Sequence, residues 1–106
     1  MLRSVGQQRL TGTADPRVAA LRTAVSRLRR ELAGHPVEFP DRGIAEEELA
    51  ALDAMAAGGA PEVPRLRRSL LLVAGAIGSV SALAPGLRDL RVAVDLFGEP
   101  PRPRRP

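Results

Sequence analysis

Large apolar side chains recur along this chain at alternating spacings of three and four, with charged or small polar residues between them. That is the stripe an α-helix produces and a strand does not. Val18, Leu21, Val25, Leu28 and Leu32 predict a first helix. Asp15-Pro16 marks its start, because the carboxylate accepts free first-turn amides and proline has none to satisfy. Its opposite face carries Arg22, Arg29 and Arg30, and Arg27 is placed to pair with Glu31 one turn on. Gly34-His35-Pro36 predicts its end, with Gly34 as a left-handed cap and His35 in the turn. A second stripe, Ala45, Leu49, Leu52 and Ala56 joined by Met55, predicts a helix from about Asp41 to Gly58-Gly59. In the intervening loop, PVEFPDRG, Phe39 is expected to plug the edge of the core.

The third stripe, Leu66, Leu70, Val73, Ile77 and Val80, starts just before and then runs through the uncharged segment Ser69 to Ala84. It predicts a central helix from Glu62–Arg65 to about Leu83, since Pro61 and Pro64 fit only a first turn. A second line on the same helix, Ala74, Gly78 and Ala82 with Gly75 and Ser79 beside it, holds only small residues. These five are the candidate interface residues, because small side chains let a neighbouring backbone approach. Ala84-Pro85-Gly86 is expected to break the path before Leu87, Leu90, Val94 and Phe97 form a last amphipathic helix ending at Gly98.

The fold class expected is therefore all-α, a small up-and-down bundle of four helices around a central apolar one, with short loops favouring antiparallel neighbours. The domain spans residues 15–98. A flexible arm (1–14) precedes it, and a disordered Pro/Arg tail (99–106), EPPRPRRP, follows. The uncharged run would reach only about 24 Å as a helix, against a bilayer core of about 30 Å. A buried helix is therefore expected in place of a membrane span.

Composition changes this picture in three ways. Of the 106 residues only Phe39 and Phe97 are aromatic, so the core must be aliphatic and modest, and self-association is a reasonable way to bury more surface. Cysteine is absent, which excludes disulfides, zinc-thiolate sites and thiol nucleophiles. MLRSVGQQRLTG shows no apolar leader region, so the expected location is the cytoplasm. All 16 basic residues are arginine and the formal charge is +4. That permits weak nucleic-acid or acidic-partner contacts through Arg102, Arg104 and Arg105, but no aromatic platform or helix-turn-helix spacing accompanies them.

No catalytic constellation stands out. His35, the sole histidine, has no nucleophile or acidic partner in a recognisable pattern. Glu46, Glu47 and Glu48 are consecutive, so on a helix they point about 100° apart and cannot converge on one ion. The glycine-rich pieces lack the Lys-Ser of a phosphate loop. No enzyme activity, cofactor, metal or small-molecule substrate is expected.

DPRVAALRTAVSRLRREL, EFPDRGIAEEELAAL and RRSLLLVAGAIGSVSALAPGL together resemble a family of short uncharacterised all-helical proteins from GC-rich actinobacteria. The resemblance covers Asp15 to Gly98 and implies a bacterial, cytoplasmic, helical protein. It brings no functional residue onto any position here. The function expected from the residues is a non-enzymatic helical interaction module, a homodimer or the partner of another helical protein. The alternatives are a small basic nucleic-acid accessory protein, or a membrane-associated one using residues 69–84.

Overall fold

Helix α1 (Pro16–Gly34) begins where the side chain of Asp15 accepts a hydrogen bond from the backbone N–H of Arg17 at 2.9 Å, with Pro16 in the first helical position. The chain then forms α2 (Arg42–Ala57), α3 (Val63–Ile77), a single 3-10 turn (Ser81–Leu83) and α4 (Ala84–Gly98). The computed structural model describes residues 15–36, 38–59 and 61–98. The expected arm (1–14) and tail (99–106) lie outside these residues, as do Arg102, Arg104 and Arg105. Among the described residues there is no strand, and the protein is an all-α four-helix bundle.

Each helix packs on the next, and α1 closes the ring against α4. The cross-helix contacts show the direction of travel. Arg17 lies over the Phe97 ring at 5.0 Å, Arg27 pairs with Asp89 at 3.2 Å, and Gly86 sits against Leu28. Residue numbers therefore rise along α1 as they fall along α4, the antiparallel arrangement that short connections favour. Arg29 with Asp53 and Leu32 with Arg42 give the same sense to α1 and α2.

The core is built from the stripes. Leu21, Val25, Leu28 and Leu32 from α1 meet Ala45, Leu49, Leu52 and Ala56 from α2, Leu66, Leu70, Val73 and Ile77 from α3, and Leu90 and Val94 from α4, all buried. Val18, Phe39, Met55, Val80, Leu87 and Phe97 pack half-buried around them. Each fully buried leucine contributes roughly 1.5–3 kcal/mol relative to exposure, and the lack of aromatics is met by their number. Ser69 is the only buried polar residue among those described. Its hydroxyl donates to Glu48 Oε1 at 2.9 Å across α2 and α3, so it enters the core with its hydrogen bond made.

Three expectations about helix ends need correction. Gly34 is not a left-handed cap: it is the last residue of α1, and His35 caps the helix with extended backbone while its N–H donates to Leu32 O at 3.1 Å. Among the described residues the left-handed glycine is Gly59, at φ +83°, which follows Gly58 at the end of α2. Second, α3 stops at Ile77, six residues before the expected Leu83: Gly78 still makes the helical bond from its N–H to Ala74 O at 2.8 Å, but Val80 turns extended (φ −94°, ψ 98°) and its N–H donates back to Ile77 O at 2.9 Å. Third, Pro85 and Gly86 do not break a helix. They lie in the first turn of α4, where proline has no amide to satisfy. The 3-10 turn between α3 and α4 buries Leu83 in the core and returns the chain across α1.

Arg42 locks the connection between α1 and α2. Its guanidinium donates to the carbonyls of Leu32 and His35 at the end of α1 and reaches Glu46 one turn along α2. The same group lies 6.0 Å from the centre of the Phe39 ring, whose edge in turn meets His35. Only 13% of this side chain is exposed. The carbonyls left over at a helix C-terminus carry partial negative charge, so a cation held there satisfies them and complements the dipole.

Candidate interaction surface

With one stripe of α3 in the core, the rest of that helix is outside. Leu70, Leu71 and Leu72 are consecutive and therefore about 100° apart around the helix, so they cannot all face inward. Leu70 is buried, whereas Leu71 is 71% and Leu72 40% exposed. Arg68, Leu71, Leu72 and Gly75, spaced i, i+3, i+4 and i+7, form one outer face, and all four are exposed. A Cβ placed on Gly75 would have nothing within 4 Å, so the helix backbone itself is bare there. Arg65 lies on the same side one turn earlier and is also exposed.

The five candidate interface residues divide on this geometry. Ala74 is half-buried, while Gly75, Gly78, Ser79 and Ala82 are exposed. They do not form one helical line, because α3 ends at Ile77 and Ala82 belongs to the 3-10 turn. Among the described residues no other helix crosses at Gly78. Its lack of a side chain serves the cap, since a Cβ there would lie 2.5 Å from the carbonyl oxygen of Ala74. The close helix approach within the fold is instead at Gly86, which is buried against Leu28 and Glu31 of α1.

A second apolar strip runs between α1 and α4. Val92 is 63% and Leu96 45% exposed, and they border an open groove of about 440 Å³ floored by Ala19, Ala20 and Ala93. The Arg27–Asp89 ion pair closes one end of it.

The polar groups singled out in the sequence serve the fold. Glu46 and Glu48 are used by Arg42 and Ser69, and Glu47 is exposed. His35 caps α1. Among the described residues no three His, Cys, Asp or Glu side chains are grouped to hold a metal ion, and no helix is long and apolar enough to cross a membrane. Asp15, at the start of α1, is paired with Arg17 at 3.0 Å. The Arg17 guanidinium hydrogen-bonded to it, aided by the Arg17 backbone N–H, holds its carboxyl below the usual carboxylate range.

The exposed leucines were legible in principle from the triple-leucine run, which one helical stripe cannot absorb. Arg42 and Gly86 gave no such signal, since their partners are 7 to 10 residues away for one and on another helix for the other.

Residues 10–98 match the model described as "Family of unknown function (DUF5955)", and the chain belongs to that family. The match contains the whole bundle and five residues before Asp15. No curated protein and no solved structure matches the chain.

Proposed function

We propose that this member of a family of unknown function is a non-enzymatic helical interaction module that associates with a second copy of itself through the outer face of α3. The observation that carries the reading is the pair Leu71 and Leu72, exposed side by side at the middle of α3 next to a bare stretch of backbone at Gly75. Exposed leucines adjoining a smooth helical surface gain about 25 cal/mol for each Å² removed from water, and glycine lets a second helix come close enough to remove it. An aliphatic core of this size benefits from such burial. A cysteine-free chain holds no disulfide, which fits work in a reducing bacterial cytoplasm.

Sedimentation equilibrium over a wide range of concentration tests the proposal. A mass rising from one protomer of 11.3 kDa toward two is expected. Leu71→Gln combined with Leu72→Gln should return it to one, with helicity by circular dichroism unchanged. A single-protomer mass at every concentration, or a dimer indifferent to both substitutions, would overturn it.

A further inference from the structure

We infer that the two copies pair antiparallel along α3, about a twofold axis between Leu71 and Leu72, with Arg68 of each copy lying over Gly75 of the other. This rests on the self-association reading above and adds the direction and register of the pairing, which the charge distribution along α3 decides.

The outer face of α3 is asymmetric from end to end. Arg65 and Arg68 stand exposed in its N-terminal half, where the helix dipole is already positive and where the one acidic residue, the exposed N-cap Glu62, makes no side-chain cap bond, leaving the end net positive. Its C-terminal half shows Leu71, Leu72, Gly75 and the Gly78 cap on this face, none of them charged, and its last turn holds no basic residue. The carbonyls of that last turn thus carry the negative end of the dipole with no cation of their own chain supplied from α3. A parallel pairing would set arginines against arginines and one negative helix end against the other. An antiparallel pairing sets each arginine pair against a helix C-terminus.

Length then fixes the register. Helix α3 runs from Val63 to Ile77, about 22 Å at 1.5 Å per residue, and Leu71 and Leu72 stand within two residues of its midpoint. An axis between them makes the apolar centre self-complementary, leucines on leucines. Counting outward from that axis in opposite directions brings Arg68 to Gly75 and sets Arg65 level with Gly78 at the edge of the contact. Nothing stands within 4 Å of a Cβ on Gly75, so the aliphatic stem of an arginine can lie flat on the backbone while its guanidinium reaches the last-turn carbonyls. The contact is isologous and closes on itself, giving a dimer and no filament.

The cysteine-free sequence allows a clean test by single-cysteine variants of the full chain, mixed pairwise and mildly oxidised. Disulfides form only where Cα atoms come within about 7 Å. Leu72→Cys, near the axis, should cross-link to itself. Arg68→Cys mixed with Gly75→Cys should cross-link far more than either alone. Arg68→Glu should weaken association about tenfold at low salt, and by less at high salt. Circular dichroism of each variant verifies the fold. Arg68→Cys cross-linking to itself as readily as to Gly75→Cys would mean a parallel pair, overturning the register while leaving α3 as the interface. Cross-linking of Leu96→Cys to itself with Leu72→Cys inert would move the interface to the α1–α4 groove and overturn both readings. Failure of the native chain to dimerise in sedimentation would do the same.

Discussion

Gly86 of α4 rests directly on Leu28 of α1, so closely that a Cβ built on the glycine would come within 2.9 Å of Leu28 Cδ1 and 2.6 Å of Glu31 Oε1. Leu28 is fully buried and cannot retreat without disturbing its own neighbours. This contact sets how near α4 lies to α1, and it lies in the first turn of α4, just after the 3-10 turn that brings the chain back across the bundle.

Gly86→Ala is therefore expected to destabilise the fold by about 1–3 kcal/mol, the range for overpacking, even though alanine is the better helix former by up to about 1 kcal/mol. Urea unfolding followed by circular dichroism measures it. Glu31→Ala in the same chain should recover part of the loss and no more, because the glutamate tip can move and Leu28 cannot.

Gly75 and Gly78 should respond with opposite signs. Gly75 is inside α3 with open space around it, so Gly75→Ala should raise stability by up to about 1 kcal/mol. Gly78→Ala drives a Cβ into the carbonyl oxygen of Ala74 and should lower it. Thermal melts at one fixed low concentration give both values. Equal effects would contradict the placement of the α3 end at Ile77.

Arg42→Ala removes a largely buried cation from the carbonyls of Leu32 and His35. Charge-assisted bonds of this kind are worth about 1.5–3 kcal/mol, and a loss in that range is expected from denaturant midpoints. Arg42→Lys should restore less than half, because an ammonium is a single point and cannot span two carbonyls while stacking over Phe39. Hydrogen exchange should quicken first at the end of α1.

Asp15 makes one end of α1 sensitive to acid. The Arg17 side chain, chiefly, and the Arg17 amide lower its carboxyl below the ordinary value of 3.8. A carboxyl with a depressed folded-state value adds stability above its unfolded value and loses it as pH falls through the folded one. The α1 cap should thus be intact above about pH 4 and fray progressively below it. Carboxyl NMR titration should show Asp15 titrating under 3.8, and Asp15→Asn should flatten this part of the acid response.

The core was legible because the helical period assigns faces without reference to anything distant. Leu21, Val25, Leu28 and Leu32 had to share a side of α1, and so did Leu66, Leu70, Val73 and Ile77 of α3, whichever neighbours came to cover them. The Asp15-Pro16 start and the Gly58-Gly59 stop were legible for the same reason, since caps are satisfied within a few residues. The candidate interface was legible only in part. Its small residues stand out, but Ala82 leaves the line because α3 ends at Ile77, and the leucines beside them carry the same apolar signal as a buried face.

What the sequence alone determined, then, is what local periodicity and local hydrogen bonding decide: four helices, their inward faces and most of their ends. What only the tertiary structure decided is everything set by an atom from another element. Whether Pro85-Gly86 breaks a helix or begins one depends on Leu83 having a core to enter and Leu28 a glycine to lie on. Leu71 and Leu72 are exposed because α2 and α4 cover only the stripes beside them, and no spacing along one chain records how far around a helix its neighbours reach.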